Sequence, residues 1–119
     1  GSDIERDRFG AVRRAVDITR AIIVLKGART LIATPSGELY ISMAGNPVLA
    51  TAGAGDVLTG LTAALACAMP LDWAASAGVL IHGLAADKWR EKTGSDRGLL
   101  AGELADLFPE LMAELASLA

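Results

Sequence analysis

Cysteine is almost absent from this sequence. Cys67 is the only one among 119 residues, so an intrachain disulfide is impossible and a zinc site built on thiolates is excluded. A single free thiol suits a reducing compartment. Histidine is as scarce, with His82 alone, and aromatic residues make up only 4% of the chain. The core must therefore be built from small and aliphatic side chains, which let helices approach a sheet or one another closely. A basic block is missing as well. Eleven Lys and Arg face 14 Asp and Glu, the net charge is −3, and the tightest basic group is Arg13-Arg14, which excludes a general nucleic-acid binder. The longest strongly apolar run, Leu61 to Leu71, is too short for a bilayer and contains Pro70. From Gly1 to Arg20 the chain is charged throughout and carries no signal-peptide pattern. These absences predict a soluble, cytoplasmic protein that binds neither nucleic acid nor membrane.

What is present is globular. Hydrophobic residues reach 52% against 21% charged, which excludes disorder, and the length is one domain's worth. Residues 4–20 read as a helix, with Phe9, Val12 and Val16 at helical spacing and Ser2 and Glu5 at the spacing of a capping box. The apolar run 21–25 suits a strand buried on both faces. Strands are expected at 30–34 and 38–42, joined by the turn chemistry of Pro35-Ser36-Gly37. A glycine-bearing loop covers 43–53, and a helix runs from about Asp56 to Met69 until Pro70 stops it. Asp72 is expected to cap a long helix reaching about Lys92, with Trp73, Ala77, Leu80 and Leu84 on its core face. The segment 94–98 reads as a loop. The tail from Leu99 reads as helical, with a restart at Pro109 and Leu111 and Leu115 on one face. Cys67 reads as a small core residue. The order is that of an α/β protein with few strands for its helices, as if part of a sheet were missing.

The segment with chemical content is Gly45-Asn46-Pro47-Val48-Leu49-Ala50-Thr51-Ala52-Gly53-Ala54-Gly55-Asp56-Val57-Leu58-Thr59-Gly60. It is not a dinucleotide fingerprint, because Leu58 stands where the third glycine belongs. Nor is it a Walker P-loop, because Leu61 follows Gly60. Gly53 and Gly55 permit backbone angles closed to other residues and a close ligand approach. The helix that begins here directs unpaired N–H groups outward, an anion site formed by Gly53, Ala54 and Gly55. Asp56 at the same end could take a proton from a hydroxyl while phosphate oxygens rest on the amides. Alone, Gly-Ala-Gly-Asp reads more simply as an N-cap and a turn. Lys26 alone is a strand-end lysine, Thr30 a strand starter, and Asn46 either orients a ligand or makes a turn with Pro47. His82 reads as a satisfied packing residue.

The longer context resembles a family. Gly45-Asn46-Pro47, Leu49-Ala50-Thr51 and Gly53 through Gly60 look like the C-terminal signature of the NAD(P)H-hydrate dehydratases of the ribokinase-like superfamily. Upstream, Lys26-Gly27-Ala28-Arg29-Thr30 resembles that family's Lys-Gly-x-x-Thr stretch. Downstream, Leu80-Ile81-His82-Gly83-Leu84-Ala85 resembles its His-Gly helix. The order and separation of all three match.

The resemblance implies a ribokinase-like three-layer α/β fold, with residues 1–119 forming the C-terminal portion of one such domain. The missing N-terminal part would supply most of a parallel sheet. It implies a lyase that repairs hydrated NADH and NADPH: a nucleotide phosphorylates the ring hydroxyl and elimination restores the dinucleotide. By motif, Asp56 would contact the hydrate hydroxyl and act as base. Asn46 would assist in binding substrate. Lys26, Gly27, Ala28, Arg29, Thr30 and Gly55 would hold ADP or ATP. Mg2+ would accompany the phosphates without a protein metal cage, and the assembly would be a homo-oligomer. One residue departs from the pattern: Ala54 stands where dehydratases usually carry Ser or Thr, and Gly-Ala-Gly-Asp is the sugar-kinase form, while the surrounding Gly-Asn-Pro and Asp-Val-Leu-Thr-Gly still favour the dehydratase. The alternatives are a ribokinase-like small-molecule kinase, supported by Ala54, and an inactive truncated binding module, supported by the short length.

Overall fold

The computed structural model describes residues 7–118, and the Ser2–Glu5 capping pair lies outside them. In chain order the elements are α1 (Arg8–Thr19), β1 (Ile23–Leu25), β2 (Leu31–Ala33), β3 (Leu39–Ile41), a 3-10 turn (Pro47–Ala50), α2 (Ala54–Ala66), α3 (Leu71–Thr93), α4 (Ala101–Asp106) and α5 (Phe108–Ser117). Asp7 is the N-cap of α1, its carboxylate accepting the Gly10 N–H at 2.8 Å.

The three strands form one antiparallel sheet in the order β1-β2-β3, with Val24 opposite Ile32 and Ile32 opposite Tyr40. Side-chain alternation splits the sheet's apolar residues between two faces. Leu31 and Ala33, with Ile23 and Leu25, pack on Val12 and Val16 of α1. Ile32, with Ile22 and Val24, packs on Leu58 of α2 and on Ala75 and Val79 of α3. The result is three layers, helix on sheet on helices. A third cluster joins α3, α4 and α5 through Ala85, Ala86, Leu104, Phe108 and Leu111.

Several expectations change. The run 21–25 is apolar on both faces, yet β1 is only half-buried because it lies at the sheet edge; β2, in the centre, is the buried strand. The bonds Thr34 N to Glu38 O and Ser42 N to Thr30 O fix which residues of β2 face β3. By alternation Leu31 and Ala33 face β1, so Val24 directs its N–H and C=O to the outer edge. Pro70, not Asp72, is the N-cap of α3, and Asp72 lies in its first turn. Trp73 and Leu80 are exposed rather than core. Ala77 and Leu84 are half-buried against the third cluster. The fully buried stripe of α3 is made of smaller residues, Ala74, Gly78, Ala85 and Ala86 among them, because α2 crosses close enough that a Cβ on Gly78 would meet Thr62 Oγ1 at 2.5 Å. Cys67 is exposed at the end of α2, and Phe9 is half-exposed. The helix expected from Asp56 to Met69 runs instead from Ala54 to Ala66, and the tail is two helices broken at Leu107. Among the described residues, no helix is long and apolar enough to cross a membrane.

Candidate functional site

Four segments converge on one side of the sheet. The first is the turn that ends β1. Arg8, at the start of α1, donates to the carbonyl oxygens of Leu25 (3.0 Å), Lys26 (3.3 Å) and Arg29 (2.7 Å). One guanidinium thereby fixes the whole Lys26–Arg29 turn, using the several donors of its planar fork.

The second segment is the start of α2. Its N-cap is Gly53, held at φ 88°, and no side chain caps the helix. That angle lies in the left-handed region, which favours glycine. Ala54 N–H reaches Thr51 O and Val57 N–H reaches Gly53 O. Among the described residues the N–H groups of Gly55 and Asp56 find no acceptor. Free amides at the positive end of a helix of 13 residues are oriented to receive an anion.

The third segment is the loop 44–50. Asn46 caps the 3-10 turn: its Oδ1 accepts the Val48 N–H at 3.1 Å, and Pro47 takes the first position, where no N–H is needed. The Asn46 Nδ2 donates to Asp87 Oδ1 at 2.8 Å, and Gly45 N–H donates to Asp87 Oδ2 at 3.1 Å.

The fourth is α3. His82 is buried, and its Nε2 lies 2.9 Å from Ala54 O. A carbonyl only accepts, so Nε2 carries the proton. Burial pushes the His82 pKa below its ordinary value; the bond to Ala54 opposes that shift, and the charge of Lys26 adds to it. Gly83 lets loop and helix touch, since a Cβ there would lie 2.8 Å from the Ala44 carbonyl carbon.

Between these segments lies a cavity of about 530 Å³, a size suited to a small-molecule ligand. Lys26, Gly27, Ala28 and Thr30 line it from the β1 turn, and Asn46 from the loop. Ala54 and Gly55 line it from α2, and His82, Gly83 and Arg90 from α3. Its charged lining residues are Lys26 and Arg90, and among the described residues no carboxylate lines it. A cavity with two cations, free helix amides and no acid is built for an anion. No three His, Cys, Asp or Glu side chains group to hold a metal among the described residues.

Three of the expected site residues lie outside the lining. Arg29 is exposed and points to Met43 Sδ at 3.5 Å. Gly53 packs its open side toward Ala101. Asp56 is exposed in the first turn of α2. Two residues along a helix turn by about 200°, so Asp56 faces away from the side on which Ala54 and Leu58 meet the cavity. The sequence reading passed over Arg8, Asp87 and Arg90. Arg8 and Asp87 act across 17 or more residues of chain, a distance no local pattern reports. The Gly83–Asp87 spacing of one helical turn was the available signal for the latter.

The family model for NAD(P)H-hydrate dehydratase matches residues 1–110. The chain belongs to the NAD(P)H-hydrate dehydratase family. It is 48% identical over 105 residues to the ADP-dependent (S)-NAD(P)H-hydrate dehydratase of Neisseria meningitidis, covering 87% of this chain and 36% of that protein. It is 42% identical over 113 residues to the bifunctional NAD(P)H-hydrate repair enzyme of Moorella thermoacetica, covering 94% of this chain and 21% of that one. Among solved structures it resembles the ADP/ATP-dependent NAD(P)H-hydrate dehydratase of Bacillus subtilis co-crystallised with ATP and Mg2+. The TM-score is 0.90 at 32% identity, over 95% of this chain and 41% of that one. The chain thus spans about a fifth to two fifths of these dehydratases, and its three layers are part of their fold.

Proposed function

We propose that this chain carries the nucleotide-phosphate site and the base of an enzyme that repairs hydrated NADH and NADPH. We propose further that it corresponds to the C-terminal portion of the dehydratase domain, residues 1–119. The observation that carries the reading is the cavity at the uncapped start of α2, lined by two cations and, among the described residues, by no carboxylate, in a chain of the dehydratase family.

In this reading ADP or ATP occupies the cavity. Lys26 and the β1 turn hold its phosphates, and the Gly55 amide takes the charge that develops on the phosphoryl group being transferred. Asp56 stands one residue beyond Gly55, on the outer side of the helix start. There it accepts the proton of the hydrate hydroxyl as that oxygen bonds to phosphorus and the nucleotide's terminal P–O bond breaks. Loss of phosphate from that ring carbon, with a proton leaving the neighbouring ring carbon for water or the departing phosphate, then re-forms the double bond. Asn46 keeps one amide hydrogen for a ligand after its bond to Asp87. The donor set fits phosphate oxygens and, among the described residues, offers no carboxylate for a metal. Mg2+, when bound, would be held by the phosphates and water, neutralising their charge. The remaining contacts to the hydrate would come from the rest of the longer enzyme.

The same reading places the protein in the cytoplasm, where the exposed Cys67 stays reduced. It also makes the protein a homo-oligomer, for which the exposed Tyr40, Ile41, Trp73 and Leu80 provide apolar surface. The deciding experiment mixes the chain with hydrated NADPH, magnesium and either ADP or ATP, and follows the return of NADPH absorbance alongside calorimetric nucleotide binding. Nucleotide binding with repair, by the chain alone or within the longer parent protein, bears the reading out. A stable phosphorylated product without repair identifies a small-molecule kinase. Absence of nucleotide binding by folded protein leaves a binding module.

A further inference from the structure

The loop that walls the cavity is pinned at its 3-10 turn, where Val48 is buried and Leu49 packs against the α3–α4–α5 cluster, while the Gly45–Asn46 end ahead of that turn has no apolar side chain to bury. Gly45 sits at φ 107°, in the left-handed region, and Asn46 and Pro47 follow it into a single 3-10 turn. What holds that end comes from α3. Gly83 brings the helix against Ala44, and one turn later the half-buried Asp87 reaches the loop with both carboxylate oxygens. Oδ2 accepts the Gly45 N–H at 3.1 Å, and Oδ1 accepts Asn46 Nδ2 at 2.8 Å. Asn46 passes the constraint on, since its Oδ1 accepts the Val48 N–H at 3.1 Å.

Asp87 does not line the cavity, whereas Gly45 and Asn46, the two residues it grips, both do. Both oxygens accept N–H donors from the loop, and among the described residues Asp87 forms no ion pair, so its hydrogen bonding is given to the loop alone. Hydrogen bonds to a charged acceptor are the stronger kind, and two of them from one helix fix the Gly45–Asn46 end of the loop, ahead of the buried Val48.

We propose that Asp87 is a positioning residue for the nucleotide cavity, acting through Gly45 and Asn46 to hold the loop wall at the distance from α2 that a nucleotide phosphate requires. The proposal rests on the nucleotide reading above.

The test is Asp87→Asn, read by ADP–Mg2+ affinity, by amide hydrogen exchange at Gly45 and Val48, and by thermal unfolding. An asparagine offers one acceptor and one donor where two donors converge, so one of the two bonds is lost. ADP affinity should fall about tenfold, with faster exchange at Gly45. The reciprocal swap Asn46→Asp with Asp87→Asn re-forms every bond with one direction reversed. It should return the exchange of Gly45 and Val48 to wild-type rates. Val16→Ala, a core truncation on the far side of the sheet, should lower thermal stability without changing ADP affinity. Wild-type ADP affinity in Asp87→Asn would overturn the proposal, as would an affinity loss equal to that of a Val16→Ala variant of matched stability. If the wild-type chain binds no ADP, the nucleotide reading fails. Exchange at Gly45 unaltered by Asp87→Asn would then refute the anchoring as well.

Discussion

His82 of α3 is hydrogen-bonded to the first residue of α2, with Nε2 2.9 Å from Ala54 O. The bond crosses 28 residues of chain and ties the helix start that faces the cavity to the helix that forms its back wall. The imidazole is buried and lies near the charge of Lys26, so the neutral ring is the form that fits.

Stability should therefore fall in mild acid. Burial lowers the His82 pKa in the folded protein, with the bond to Ala54 opposing and the charge of Lys26 reinforcing. The unfolded chain then binds the more protons, and stability rises with pH across the interval between the two values. The contribution is complete above the unfolded value of about 6.5 and is lost as pH drops from there through the depressed folded value. Melting temperatures of wild type and His82→Gln, measured from about pH 8 to about pH 5, should diverge in slope, the variant being flatter. Parallel curves would show that His82 does not titrate on unfolding.

Gly83→Ala should destabilise the protein by about 1–3 kcal/mol, the usual cost of forcing a methyl into a packed contact. The added Cβ would press on the Ala44 backbone at 2.8 Å, and backbone cannot swing aside as a side chain can. Urea denaturation measures the loss. A change below about 0.5 kcal/mol, the range of an unstrained surface change, would mean that the loop yields freely.

Lys26→Ala should weaken ADP binding about tenfold, the loss of one charge-assisted contact, with little change in melting temperature because the side chain is exposed. Arg8→Ala should weaken binding as well and also lower stability, since it releases three carbonyl groups of the same turn. Calorimetry on both variants checks this. Equal affinities in wild type and Lys26→Ala would move the phosphates elsewhere.

Asp56→Asn should leave the fold intact, because the side chain is exposed in the first turn of α2. Repair turnover should drop by about 10²–10⁴, the usual contribution of a general base. Circular dichroism and the NADPH recovery assay separate the two effects, and near-normal turnover would remove Asp56 from the chemistry.

Local pattern was enough for much of this. The β-branched run before Lys26, the Pro35-Ser36-Gly37 turn and the glycines ahead of Asp56 each declare their element within a few residues. The uncapped, glycine-led start of α2 was legible for the same reason, because helix amides and the residues that cap them are neighbours in sequence. Trp73 and Leu80 were misassigned because bulk and helical spacing suggested a core face. In fact the buried face of α3 is mostly Ala and Gly, with Val79, Ile81 and His82 between them, and the glycines lie where α2 and the loop press closest.

The succession of strand and helix, the glycine-led helix start and the Lys26–Thr30 turn are written in the local sequence, since they depend on backbone preferences and short-range periodicity. That Asp87 grips Gly45 and Asn46, that His82 holds Ala54, and that Arg90 joins Lys26 at the cavity emerges from the folded chain alone. Each pairs residues brought together by packing across the fold, and packing partners are set by the three-dimensional fit of whole elements rather than by any local spacing.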